Sequence, residues 1–581
     1  MPARPDIERP ALLGVGACAG LLAGLIAVGC TGEAGSTGSG GAGGGGKGGA
    51  SGCVGTPVVT AKRVVRLSEN QLWNSYTALF GADAAAAITQ NEERPSLDER
   101  EFPPISGDIA VSEVLVGKID RLAQSAMHYV SRNAATLTAC GAAPSDKTCV
   151  QEFLLSFAEK AFRHPLSFEE QTAITGQFWT EMTAAGATLG EALGYGVYGI
   201  LSSPSFIYRT ELGADVAADG PLTPHELATA ISLFLTDGPP DAELLAAAAS
   251  NGLRTPDQVR AQAARLLETP EARANLESAL VKYFSFTKAP AVILNPEVTP
   301  GLTVTGVLQS SILHEGELFM KNLLWSGPLD DLLTSRRTWT SAPIATQVYG
   351  VAAPGAVDGD GFGLVELPAD RAGLLTLSTF LLAGARPTGG SPVTRGLAVN
   401  HSVVCQVNPQ FPATDADVAA AIAGLADKSE LEKAQVRAST PKCAACHGQF
   451  DAFGMVLEPY DAVGRFRTAD LEGRPIDGSW TTTVLPASVG GAVVTSAAET
   501  AHALAASGAL DRCMAMNFIN YALTEVSRGG ANNTDLGSAP QTGSCAVQSV
   551  IDAFASTDRS FASLMREIAA SETVAVRSKG Q

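Results

Sequence analysis

The chain has 581 residues, 59 acidic against 40 basic, and a formal net charge of −19. That balance argues against a nucleic-acid binder, which needs a basic face to displace phosphate counterions, and against a surface that leans on anionic lipid. With 45% apolar and 17% charged residues the chain can bury real cores, so global disorder is excluded, and its length predicts several domains.

The first residues address compartment. Ala11 to Val28 carry no charge and are rich in Leu, Ala and Gly, and the stretch runs into Ala27-Val28-Gly29-Cys30. Small residues before a cysteine predict a lipoprotein signal peptide over residues 1–29, with the Cys30 thiol taking lipid. An uncleaved membrane anchor is the competing reading. Either one places the bulk of the chain outside the cytoplasm, at the periplasmic or outer-membrane surface of the cell envelope. A tether follows over residues 30–57: between Thr31 and Thr56, 13 of 26 residues are Gly. Such a segment is a flexible coil with a mean reach of roughly 25–30 Å.

The body reads as mainly α, a multi-domain helical body with at most short β hairpins. Ser68-x-x-Gln71, Ser167-x-x-Glu170, Thr223-x-x-Glu226 and Thr255-x-x-Gln258 fit the capping box, in which hydroxyl and third residue satisfy early backbone N–H groups reciprocally. Pro224, Pro256 and Pro270 each follow a threonine, at the first helical position where a missing N–H costs nothing. One helical run is predicted from about Pro221 to Phe286, broken at Asp237-Gly238-Pro239-Pro240 and Asn251-Gly252. Asp358-Gly359-Asp360-Gly361 looks like calcium-loop chemistry, but Leu367 stands where the bidentate Glu belongs, so a plain turn is expected. Thr481 to Leu485 and Ala492 to Thr495 are expected to pair as a hairpin.

Cys443-Ala444-Ala445-Cys446-His447 is the sharpest chemical signal. Two thiols two residues apart can add to the two haem vinyl groups, and the adjacent histidine then ligates the iron. Composition alone predicts roughly 0.002 such matches. The expected cofactor is one covalent haem c held by Cys443, Cys446 and His447. A zinc site and a redox-active or structural Cys-x-x-Cys pair are the rivals. For the sixth ligand, Met514 or Met516 would reach the distal face most comfortably; Met455, His401 and His502 are weaker candidates. Arg465 and Arg467 are candidate propionate partners, with an ordinary salt bridge as the alternative.

Six other cysteines remain after Cys18 and Cys30 are assigned to leader and lipid. Cys140 with Cys149 is the best disulfide pair, Cys513 with Cys545 would clip a polar loop, and Cys53 with Cys405 is left by elimination.

With these residues in place, the sequence resembles a large exported family from planctomycetes and myxobacteria, built from five consecutive domains of unknown function, one named as cytochrome-like. Val65-Arg66-Leu67-Ser68 is similar to its opening domain, here residues 58–135. Ala161 to Leu166 and Ser203 to Arg209 resemble the second, residues 140–215. Glu226-Leu227-Ala228 and Val348-Tyr349-Gly350 resemble the third, residues 221–351. Arg371 to Thr376, Ser391 to Gly396, the Cys-x-x-Cys-His motif, Phe453-Gly454, Glu458, Tyr460-Asp461 and Gly464-Arg465 resemble the cytochrome-like fourth, residues 371–470. Residues 498–577 resemble the last. The resemblance implies an exported c-type cytochrome-like protein. Single-electron transfer is the expected function, against a haem-dependent peroxidase- or oxygenase-type enzyme on an extracellular substrate and a non-haem binding or scaffold protein. A basic redox partner is the expected macromolecular contact.

Overall fold

The four expected capping boxes form. In each, the Ser or Thr hydroxyl accepts from the third helical N–H and the Gln or Glu at that position returns the bond to the cap's own N–H. Thr188 with Glu191 and Ser429 with Glu432 add two more. The computed structural model describes residues 60–94, 112–141, 146–406, 423–425, 427–476, 483–523 and 545–579. The leader, Cys30, the tether and Cys53 lie outside the described residues.

The protein is mainly helical, and its described strands form only two-stranded pairs. The expected run from Pro221 to Phe286 is four helices, Pro224–Thr236, Ala242–Ala249, Pro256–Leu267 and Pro270–Tyr283. Asp237 ends the first in a left-handed conformation, φ 54°. The hairpin near 481–495 is present as Thr483–Val484 paired with Val493–Val494. Asp358 forms the expected turn, its Oδ1 accepting from the N–H groups of Asp360 and Phe362. Among the described residues, no helix is long and apolar enough to cross a membrane.

Two large cores organise the helices. One is built between Leu67 and Phe206, with Leu233 reaching into it. The other runs from Leu222 to Val574 and draws on segments 221–351, 371–470 and 498–577 together. A smaller third core, including Ile312, Ile344, Tyr349 and Val463, joins segment 221–351 to segment 371–470.

Remote parts of the chain meet at short strands. Arg63–Arg66 pairs antiparallel with Tyr208–Glu211, and Gly220–Pro221 pairs with Val576–Arg577. Glu211, 1% exposed, receives Arg63 Nε at 2.8 Å, Arg577 Nε at 2.8 Å and Arg209 Nη2 at 2.9 Å. Burial opposes ionisation of this carboxyl, but Arg209, Arg577 and Arg63 outweigh it and hold it far below the usual carboxylate range.

The disulfides correct one expectation. Cys140 is bonded to Cys149, Cα to Cα 5.7 Å. Cys405, however, is bonded to Cys513, Cα to Cα 5.1 Å, replacing the expected Cys513–Cys545 and Cys53–Cys405 pairs. Loop length suggested neighbours in sequence, whereas tertiary packing decides. The turn Asn400–Val404 lies against the helix Ala509–Leu523, and Cys405 ends that turn in a left-handed conformation, φ 54°. Cys545 is also disulfide-bonded.

Candidate functional site

The motif sits in one helix, Pro441–Met455, opened by Pro441 at its start. Cys443, Cys446 and His447 therefore fall at i, i+3 and i+4, which places them together on one helical face. Cys443 is buried, and Cys446 packs against the larger core. Neither thiol is in a disulfide, although the other five described cysteines all are. Burial, and then Cys443 beside it, pushes the Cys446 thiol pKa up. A redox-active pair of thioredoxin type needs a thiol pushed the other way.

His447 is fixed by a carboxylate. Its Nδ1 lies 2.9 Å from Asp451 Oδ1, one helical turn on. The other oxygen of Asp451 accepts from Arg437 Nε at 2.7 Å, and Arg437 comes from the preceding helix, Glu430–Ser439. The Phe450 ring packs beside the imidazole, centroids 4.9 Å apart. With Nδ1 engaged, Nε2 is the nitrogen left for a metal. Neither Asp451 nor Arg437 was singled out from sequence. The i, i+4 spacing of His447 and Asp451 was the available signal; Arg437 gave none.

The helix is held by the residues that surround the motif in sequence. Gly396, in the helix Pro392–Val399, and Gly454 let the two helices touch: a Cβ on Gly454 would stand 1.8 Å from Pro392 O, and one on Gly396 2.3 Å from Phe450 O. Arg395 is fully buried and caps the turn after the motif helix, donating to the carbonyls of Leu381, Leu457, Tyr460 and Asp461. Arg371 lies between the rings of Tyr349 and Tyr460, 4.8 and 4.9 Å from their centroids, and donates to Gly464 O. It thereby ties the central segment to the motif segment through cation–π contacts and a charge-assisted hydrogen bond.

Three family models match this chain. They are PSD5, Protein of unknown function (DUF1595), over residues 149–211; PSD4, Protein of unknown function (DUF1592), over 222–351; and PSCyt3, Protein of unknown function (DUF1588), over 371–470. Over these three stretches the chain is similar to planctomycete-type multidomain families of unknown function. No curated protein and no solved structure matches it. The motif helix, Arg371, Arg395, Gly396 and Gly454 all fall inside the PSCyt3 match. In this chain these residues dock and brace the motif helix.

The remaining candidates fall elsewhere. Met514 and Met516 are 0% and 3% exposed on the core helix Ala509–Leu523, in the surroundings of packing methionines. Met455 ends the motif helix against Ile476, Leu431 and Ala434, again a packing role. His502 is exposed. The turn carrying His401 packs against the motif helix, and burial, then Lys288, lowers this histidine's pKa. Arg465 and Arg467 are engaged internally: Arg465 Nε binds Asp461 Oδ2 at 2.6 Å and Arg467 pairs with Glu458. Both therefore form the salt bridges named as the alternative. Among the described residues no group of three His, Cys, Asp or Glu side chains could hold a metal, so the ligand set of a structural zinc site is not assembled there.

Proposed function

We propose that this is an exported, lipid-anchored, c-type cytochrome-like protein that passes single electrons at the cell envelope. The observation that carries the reading is the pair of unbridged thiols, Cys443 and Cys446, beside a carboxylate-held His447 on one helix, in a chain whose other described cysteines are oxidised. The matched families point to cytochrome c-related proteins in general.

The residues fit the group. Cys443 and Cys446 would form the thioether bonds and His447 Nε2 would ligate the iron. Among the described residues, buried Arg437 Nη2 has no hydrogen-bond acceptor, a donor that a propionate carboxylate would satisfy. The haem, when bound, supplies a one-electron couple. The chain's own contribution is to fix the imidazole through Asp451, exclude water with Phe450 and Phe453, and present an acidic body. A net charge of −19 attracts a basic redox partner, and that attraction weakens as salt screens it.

The electronic spectrum tests electron transfer against haem enzymology. A six-coordinate, low-spin haem that does not react with peroxide is expected. A high-spin iron that binds peroxide would instead favour the peroxidase- or oxygenase-type enzyme.

A further inference from the structure

We infer that Asp451 is the positioning residue that sets the iron's reduction potential, and that Arg437 is its anchor. The inference rests on the haem reading and deepens it. It starts from two contacts and a spacing: His447 Nδ1 to Asp451 Oδ1 at 2.9 Å, Asp451 Oδ2 to Arg437 Nε at 2.7 Å, and the separation of His447 and Asp451 by one helical turn. His447 and Asp451 are on the same rigid helix, so their separation is set by helical geometry. Arg437 comes from a second helix that packs on the first and holds the carboxylate in one rotamer. The side chains of Arg437 and Asp451 are 13% and 14% exposed, so water competes weakly for either.

A carboxylate on Nδ1–H draws that proton toward itself. The imidazole gains anionic character and becomes a more basic ligand through Nε2. A more basic ligand stabilises ferric iron more than ferrous iron, so the potential falls. Arg437 has two opposing effects. It keeps the carboxylate oriented, which preserves the bond to His447. It also draws charge from the carboxylate, which moderates the pull. This chain would therefore carry a haem of lower potential than one whose histidine is held only by a neutral acceptor.

The experiment is spectroelectrochemical titration of the haem-loaded full chain and of Asp451→Asn, Asp451→Glu and Arg437→Gln. Outer-shell partners of this kind are worth 10- to 100-fold in metal affinity, and a loss confined to one oxidation state appears in the potential. For one electron each tenfold bias is about 59 mV, so Asp451→Asn should raise the potential by one to two such steps. Asp451→Glu, which restores a carboxylate, should recover part of the fall. Arg437→Gln should move the potential by less than Asp451→Asn does, with the haem still attached. Should Asp451→Asn not fold, Asp451→Glu decides the matter: it shifts the carboxylate by one methylene against Nδ1, so a potential moved from wild type supports the inference and an unchanged one overturns it. If the loaded variants titrate at the wild-type potential, Asp451 has only a structural role and the inference fails while the haem reading stands. If the wild type carries no covalent haem, both fail together.

Discussion

Glu211→Gln should lower the stability of the folded body by about 3–5 kcal/mol, the usual cost of leaving buried charges without their partner. The carboxylate is the common counter-charge for Arg63, Arg209 and Arg577, accepting hydrogen bonds from Arg63 and Arg577. These residues belong to the first described strand, to the strand that closes the second segment and to the last strand of the chain. Arg577 and Arg209 are almost fully buried, so neutralising Glu211 removes the carboxylate charge that both face where water does not reach. The contribution is present above the ordinary carboxylate pKa and is lost as pH falls toward the depressed folded value. A lower urea midpoint at pH 7, with earliest loss of amide protection in these three strands, is the expected result. An unchanged midpoint would show that the cluster is not a lock. Replacing Glu211, Arg209 and Arg577 together by apolar residues of similar volume should cost less than Glu211→Gln alone, because neither buried guanidinium is then stranded.

Glu315→Gln should remove a fall in stability between pH about 4.5 and 7. Glu315 is 0% exposed on the helix Gly306–Leu324. Its oxygens accept from Tyr349 Oη at 2.9 Å and Thr338 Oγ1 at 3.3 Å. Burial pushes its pKa from an ordinary 4.5 up to about 7; Tyr349, Thr340, Thr338 and Arg371 pull the other way and are outweighed. In the window between those values the folded protein keeps a proton that the unfolded chain has released, so stability declines as pH rises. The full effect is about 3 kcal/mol, complete by the time Glu315 ionises. Glutamine keeps the neutral shape and cannot ionise. Glu458, which burial also pushes to about 7 against the pull of Arg467, adds its own slope in both proteins. The difference between wild type and Glu315→Gln isolates the Glu315 share. Identical slopes would contradict the account.

The helical class was legible because its signals are local. A hydroxyl and a Gln or Glu three residues on suffice to start a helix, and each of the four such starts read from the sequence is present. The motif was legible for the same reason: five consecutive residues carry it. What could not be read depends on tertiary approach. Glu211 meets arginines from positions 63, 209 and 577, and no periodicity brings those together. Cys405 found Cys513 because a short turn packs on a core helix, not because of the loop between them. Arg465 and Arg467 had the charge for a propionate but lie within reach of Asp461 and Glu458. Arg437 reaches Asp451 through the packing of two helices, so the second partner of the His447 network was visible only in three dimensions.

The most direct test of the central claim is a pyridine haemochrome assay on denatured protein made with the cytochrome maturation machinery. One covalent haem per chain is expected, lost in Cys443→Ser/Cys446→Ser. Wild-type protein that carries no covalent haem under those conditions would contradict the reading.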